Sequence, residues 1–304
     1  MSFSYEVKSE TAKIEPESSC CITARAVSVL LFAGVYSGDE LIKLSTESAN
    51  VARFFCVCLR PFFKNIDVNY SKNFRNSKLY TVNCHISDDE AEFIGNIFTT
   101  LENCLILRRD VTLNGCFAKK CCLKTLVRAA FLSVGSVSSP KKTYHLEFSV
   151  KNSRNAELLK NILGEFTFHA KFVKRRNVFV LYFKDSEIIA DILTFIGAHK
   201  MLLDFLDTKI IKELRNNTNR LVNCETANIQ KTANASAMQI QSIKRIKSCG
   251  DFEALDKSLQ ELAELRLSNP EASLAELGEK CTPPITKSGV KRRMDKIVKL
   301  SSEL

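Results

Sequence analysis

Apolar positions change their period along the chain near residue 206. Before it they form short runs rich in aromatic and β-branched residues; after it they recur every three or four positions. Residues 168–173 (FHAKFV) and 178–183 (VFVLYF) fit the half-buried pattern of strands around a turn at Lys174-Arg175-Arg176-Asn177, a predicted hairpin. Residues 65–70 (NIDVNY) and 79–84 (LYTVNC) predict another across an Asn/Ser/Lys-rich turn. Nineteen of the 20 phenylalanines precede residue 207, which places the strands there and makes the remainder all-helical. No glycine or proline interrupts 207–247, where Val222, Ile229, Ala233, Ile240 and Ile243 predict one buried stripe. Asn216-Asn217-Thr218-Asn219 breaks that pattern with residues that prefer caps and turns, so 207–222 reads as a hinge. The expected domains are therefore 1–206, mixed α+β, and 223–304, helical.

The first part reads as a duplication. Residues 27–36 (VSVLLFAGVY) and 128–137 (RAAFLSVGSV) are small-residue helices reaching Gly34 and Gly135, 101 residues apart. Each precedes a short apolar strand and an amphipathic helix, the latter carrying ESANVAR (47–53) or NSRNAE (152–157). A hairpin and another helix, near 88–99 and 185–199, complete each copy. Two αββαββα repeats, at about 20–100 and 121–200, account for this region with ordinary loops.

Small residues let helix backbones approach closely, so helices 24–34 and 123–135 are expected to pack at a pseudo-two-fold axis, with sheets to either side. This resembles the LAGLIDADG homing-endonuclease fold, in which each central helix ends in an acidic metal ligand beside a glycine. Aligned on the glycines, those positions hold Ala33 and Val134, which offer no carboxylate for Mg²⁺. Asp39 lies several residues beyond its helix, where the second copy has Ser138-Ser139-Pro140. Two-metal phosphodiester cleavage needs carboxylates at the shared axis, so the resemblance implies a scaffold that has lost its nuclease chemistry.

The last part carries the candidate chemistry. After Cys249-Gly250-Asp251 comes a helix with Leu255, Leu259, Leu262 and Leu265. Ser273 and Glu276 then form a capping box for a short helix burying Leu274, Leu277 and Cys281. Thr282-Pro283-Pro284 ends it, and Thr286 caps a second helix with an inner stripe of Val290, Met294, Ile297 and Val298. Helix, short turn and helix, at about 272–300, form a helix-turn-helix module whose second member enters the major groove. That helix bears Lys287, Lys291, Arg292, Arg293, Lys296 and Lys299 against the single acid Asp295, while the rest of 207–304 is slightly acidic. Such localised charge is a footprint for phosphates. At about 100° per residue, Ser288, Arg292, Lys296 and Lys299 point away from the stripe, and Lys287 and Ser288 lie in the first turn. The candidate DNA-binding set is Ser273, Thr286, Lys287, Ser288, Lys291, Arg292, Arg293, Lys296 and Lys299. The string ITKSGVKRR (285–293) resembles the recognition helix of sigma-factor region 4.

Composition narrows the class. With 304 residues, 45% of them apolar, the chain can build a core for two domains, and its net charge is +10. The longest apolar run, 26–35, is half a membrane span, and the opening MSFSYEVKSE holds no secretory signal. A cytoplasmic, nucleoid-associated protein is expected. The 12 cysteines form adjacent pairs and one C-x-C but no C-x-x-C, and the four histidines are scattered. They are read as reduced thiols, most of them buried, with no metal site or cofactor expected. The basic pairs Arg108-Arg109, Lys119-Lys120 and Lys141-Lys142 read as solvated turns, and Lys174-Arg175-Arg176 as a turn with a possible phosphate-contacting role.

Taken together, the strings SFSYEVKSE (2–10), AAFLSVGSVSSPKKTYHLEF (129–148), NRLVNCETAN (219–228), ELAELRLSNPEASLAELGE (261–279) and PITKSGVKRRMDKI (284–297) resemble the WhiA family of bacterial regulators. The resemblance covers the full length. It implies a degenerate LAGLIDADG-type domain joined to a sigma-region-4-like helix-turn-helix. It further implies a non-catalytic regulator binding double-stranded DNA in transcription, in cell division and chromosome segregation, and in sporulation in some lineages. RNA polymerase or division proteins are the candidate protein partners. Residues 219–228 are read as a cap and lock at the hinge, with contact to DNA or a partner as the alternative. Two other functions stay open: a DNA endonuclease, and an N-terminal protein-interaction platform anchored on DNA.

Overall fold

The structure is a computed structural model that describes residues 2–38, 40–72, 78–108, 117 and 119–303. Asp39, Arg109 and Cys116 lie outside the described residues. The chain divides into two compact units, Met1–Lys212 and Glu213–Leu304.

In the first unit, α1 (Phe3–Thr11) precedes two equivalent series. The first is α2 (Ser19–Ala33), β1 (Val35–Tyr36), β2 (Leu41–Thr46), α3 (Ala49–Leu59), β3 (Asn65–Lys72), β4 (Lys78–His85) and α4 (Asp88–Ile97). A hairpin, β5 (Phe98–Leu101) and β6 (Cys104–Leu107), follows. The second series is α5 (Lys120–Val134), β7 (Gly135–Val137), β8 (Leu146–Val150), α6 (Ser153–Glu165), β9 (Lys171–Arg175), β10 (Val178–Phe183) and α7 (Ser186–Ile196). The sheets run β1-β2-β4-β3 and β7-β8-β10-β9, the same order in both copies, and β6-β5 extends the first past β1. All pairings are antiparallel.

Helices α2 and α5 pack directly on each other. Residues 24–32 of α2 and 125–132 of α5 are buried on every side, as helices at the centre of a core must be. Each stops at its glycine, where the backbone turns extended and enters a strand. A Cβ on Gly34 would lie 2.5 Å from the Leu30 carbonyl oxygen, and one on Gly135 2.6 Å from that of Phe131, so only glycine permits this exit. Asn155 in α6, 2% exposed, donates through Nδ2 to the carbonyls of Leu31 (2.9 Å) and Leu105 (2.8 Å), joining α2 to the added hairpin. In the first copy the matching position, third after the N-cap and likewise buried, is the apolar Val51, and the neighbouring Asn50 donates to Ser9 Oγ at 3.0 Å.

Several expectations need correction. The helix expected over 88–99 ends at Ile97, because Phe98 starts β5. That hairpin turns on Glu102 and Asn103, both at positive φ (49° and 62°), without the Asn-Gly signature that announces such turns. The hairpin of the second copy turns on Arg176 and Asn177 alone, because Lys174 and Arg175 belong to β9. Most of the cysteines were expected to be buried, but five of the eleven described ones are. Burial pushes the Cys58 and Cys84 thiols up to about 12, whereas Cys224 and Cys249 are exposed. Cys20, Cys21, Cys121 and Cys122 converge, with their sulfurs within 4.8 Å of one another.

Helix α8 (His199–Cys249) begins where Glu10 accepts the backbone N–H groups of Lys200 (2.7 Å) and Met201 (3.0 Å). It runs unbroken through Asn216-Asn217-Thr218-Asn219. Each poor helix former costs only tenths of a kcal/mol, and Thr218 Oγ1 satisfies itself on the Leu214 carbonyl at 3.0 Å. The expected buried stripe starts late: Val222 and Ile229 are 50% and 70% exposed, and burial begins at Ser236. Residues 219–228, expected to cap and lock a hinge, are exposed in the interior of this helix and so cap no helix end. Among the described residues, no helix is long and apolar enough to cross a membrane.

Candidate nucleic-acid interface

The second unit adds α9 (Lys257–Ser268), α10 (Leu274–Lys280) and α11 (Lys287–Glu303) to the end of α8. Its core is Ile243, Ile246, Leu259, Leu262, Ala263, Leu277, Cys281, Val290, Met294 and Ile297. On α11 the buried positions are Val290, Met294, Ile297 and Ser301, a regular helical stripe. Val298, expected in that stripe, is only half-buried, because at about 100° per residue it falls at the stripe's edge, some 80° round from Val290.

The turn between α10 and α11 is built around backbone. Ile285 N–H donates to the Gly278 carbonyl at 2.9 Å, and a Cβ on Gly278 would collide with the Ile285 carbonyl oxygen. Thr282 N–H donates to Glu261 Oε1 at 2.8 Å, fastening the turn to α9. At the start of α10, Ser273 N–H donates to Glu276 Oε2 (2.7 Å) and Glu276 N–H to Ser273 Oγ (3.3 Å). These backbone and hydroxyl contacts with Ser273 hold the Glu276 carboxyl below its ordinary range. At the start of α11, Thr286 Oγ1 accepts the Gly289 N–H at 3.3 Å and lies 3.0 Å from Ser288 Oγ.

Thr286, Lys287, Ser288, Lys291, Arg292, Lys296 and Lys299 are all exposed. Because the stripe turns inward, α11 presents these cations on its outer side, with the first-turn hydroxyls at its positive end. Lys296 Nζ meets Asp256 Oδ2 at 3.1 Å in a solvated ion pair. Arg293 is half-buried, at the edge of the exposed face. Ser273 is half-buried, and its hydroxyl caps α10.

Arg266 was not expected to matter, since arginine ordinarily reads as surface. It is 2% exposed, and its Nη1 donates to the carbonyls of Ala272 (2.6 Å) and Pro270 (3.5 Å). Ser236 Oγ also donates to the Pro270 carbonyl, at 2.5 Å. These bonds fix the loop that delivers Ser273 to α10, and burial lowers the Arg266 pKa. No sequence signal marks it.

Several basic groups elsewhere meet local partners. In the first unit, Lys174 lies over the Phe179 ring (5.5 Å) and Arg175 Nη1 meets Glu147 at 3.5 Å. Arg108 donates to the Gly95 carbonyl at 2.9 Å.

Comparison with known proteins gives consistent matches. The family model described as the WhiA C-terminal HTH domain matches residues 218–301, and that of the WhiA LAGLIDADG-like domain matches 123–215. A probable cell division protein WhiA from Caldicellulosiruptor bescii is 41% identical over all of this chain and 96% of its own length. A counterpart of the same description from Clostridium botulinum is 35% identical over all of this chain and 99% of its own. The crystal structure of full-length DUF199/WhiA from Thermatoga maritima matches 100% of this chain and 99% of that one, at 24% identity and a TM-score of 0.60. The N-terminal LAGLIDADG domain of DUF199/WhiA matches 64% of this chain and 90% of that one, at 20% identity and a TM-score of 0.51.

Proposed function

The chain belongs to the WhiA family of cell division proteins, and from that premise we propose that it is a non-catalytic, sequence-specific regulator that binds double-stranded DNA. It acts in transcription control at the nucleoid, serving cell division and chromosome segregation, and sporulation in lineages that sporulate. The observation that carries this reading is α11 itself: an apolar stripe docked on a complete helix-turn-helix core, with its cations turned outward.

In this reading α11 lies in the major groove. Thr286, Lys287 and Ser288 approach base edges from its first turn, Arg292 reads a base, and Lys291, Arg293, Lys296 and Lys299 neutralise phosphates. Lys296 exchanges Asp256 for a phosphate. Ser273 serves by capping α10 and thereby aiming the turn. Ala33 and Val134 end α2 and α5 without a carboxylate where a LAGLIDADG nuclease places its metal ligands, which supports a non-catalytic role.

Genome-wide mapping of sites bound by the full chain supplies the cognate DNA, and anisotropy titrations then test the reader. Arg292→Ala should weaken cognate binding by about 5- to 150-fold, the ~1–3 kcal/mol of a bidentate base contact. Removing one phosphate-contacting lysine should reduce the slope of log K against log salt by ~0.9. Undiminished affinity in an Arg292→Ala/Lys287→Ala double variant, with a flat salt response, would overturn the assignment.

A further inference from the structure

The two central helices carry a second chemistry at the ends opposite Ala33 and Val134. Cys20 and Cys21 are the second and third residues of α2, and Cys121 and Cys122 the second and third of α5. The pairs are 101 residues apart, the same offset that separates Gly34 from Gly135, so they occupy equivalent positions in the two repeats. Because α2 and α5 pack about the axis relating the copies, duplication sets the pairs face to face. Cys20 Sγ and Cys121 Sγ lie 3.9 Å apart, and all four sulfurs lie within 4.8 Å of one another.

Four sulfurs bound ~2.3 Å from one central ion would stand about 3.8 Å apart along each tetrahedral edge. The observed spread is within an ångström of that figure. Cys21 and Cys122 are buried and Cys20 and Cys121 half-buried, which leaves the ion a route in and a largely dry seat. Ser18 Oγ stands 3.0 Å from Cys20 Sγ and 3.4 Å from Cys21 Sγ, placed to donate to a ligating thiolate. Both helices point their positive N-terminal ends at the cluster, which favours negative sulfur. Among the described residues, this is the one group of three or more Cys, His, Asp or Glu side chains placed to hold a metal ion.

We propose that Cys20, Cys21, Cys121 and Cys122 form a mononuclear, all-sulfur site for a thiophilic divalent cation, Zn²⁺ foremost, that clamps the two repeats together at the N-terminal ends of α2 and α5. An all-thiolate set selects Zn²⁺ over the hard Mg²⁺ of phosphodiester chemistry. With four protein ligands and no open position, the site is structural. Binding expels the thiol protons and leaves the sulfurs as thiolates. The site lies about 20 Å along the helices from Ala33 and Val134, from the rise of thirteen residues, and is chemically unrelated to that lost position.

The test uses the full chain, reduced, stripped of metal and handled without oxygen. Titration with Co²⁺ should give a sulfur-to-cobalt charge-transfer band and tetrahedral d–d bands saturating at about one ion per chain, and Zn²⁺ should abolish both. Zn²⁺ should also protect four thiols from alkylation, mapped by mass spectrometry to these cysteines. Cys20→Ser/Cys121→Ser should lose the tetrahedral spectrum, while Cys224→Ser/Cys249→Ser, altered at exposed cysteines elsewhere, keeps it. Failure of the wild-type chain to develop the bands, protection of other cysteines, or a Cys20–Cys121 disulfide in protein isolated under alkylating conditions would each overturn the proposal. None of these outcomes depends on DNA binding.

Discussion

Gly278 and Lys8 illustrate what single side chains decide. At Gly278 any Cβ meets the Ile285 carbonyl, and backbone there cannot retreat without loosening the turn that aims α11. Gly278→Ala should therefore destabilise the second unit by about 1–3 kcal/mol, read by urea unfolding of the full chain. Lys8 donates to the Leu132 carbonyl at 3.1 Å, and withdrawal from water brings its ammonium down from 10.5 to about 8. Between those values the unfolded chain holds the proton that the folded chain has released, so stability rises with pH across that window. The stability of wild type relative to Lys8→Met should accordingly climb from pH 8 to 10.5 and stay level below 8; a level difference throughout would show that Lys8 is not desolvated. Neither residue was legible beforehand. A glycine near a helix end reads as a stop, and a lysine on a short N-terminal helix reads as solvated; only packing from elsewhere in the chain reverses both readings.

At the scale of elements, α11 separates folding from recognition. Met294 is fully buried in the helix-turn-helix core, so Met294→Ala should cost about 2–5 kcal/mol and weaken DNA binding only by unfolding the reader. Arg292 is exposed, and Arg292→Ala should leave stability within about 0.5 kcal/mol while removing affinity. Unfolding and binding curves on the two variants distinguish the cases; a large stability loss in Arg292→Ala would mean that its side chain supports the fold. This module was readable in advance because its signals are local: a capping box, a short turn and a stripe at helical spacing. Val298, expected in the stripe beside Ile297, is half-buried at its edge. Helix α8 was less readable. Its Asn/Thr run looked like a break, yet propensities of tenths of a kcal/mol do not outweigh continuous hydrogen bonding, and Val222 and Ile229 are apolar without being covered.

For the whole molecule, the repeated strand order shows two copies of one αββαββα design joined across α2 and α5. The chemistry a LAGLIDADG nuclease would place beside Gly34 and Gly135 has no carboxylate at Ala33 or Val134. Supercoiled plasmid incubated with the purified full chain and Mg²⁺ or Mn²⁺ should therefore stay uncut; metal-dependent nicking that copurifies with the protein would restore the endonuclease reading. Periodicity, capping residues and internal repetition are encoded within a few turns of chain, and they were enough to specify the type of most elements, the duplication and the basic last helix. Convergence is not so encoded. The meeting of four cysteines from two distant pairs, the reach of Asn155 to Leu31 and Leu105, and the burial of Arg266 over the Pro270 loop depend on how finished elements dock. Those distances are set by the packing of side chains remote in sequence, which no local pattern records.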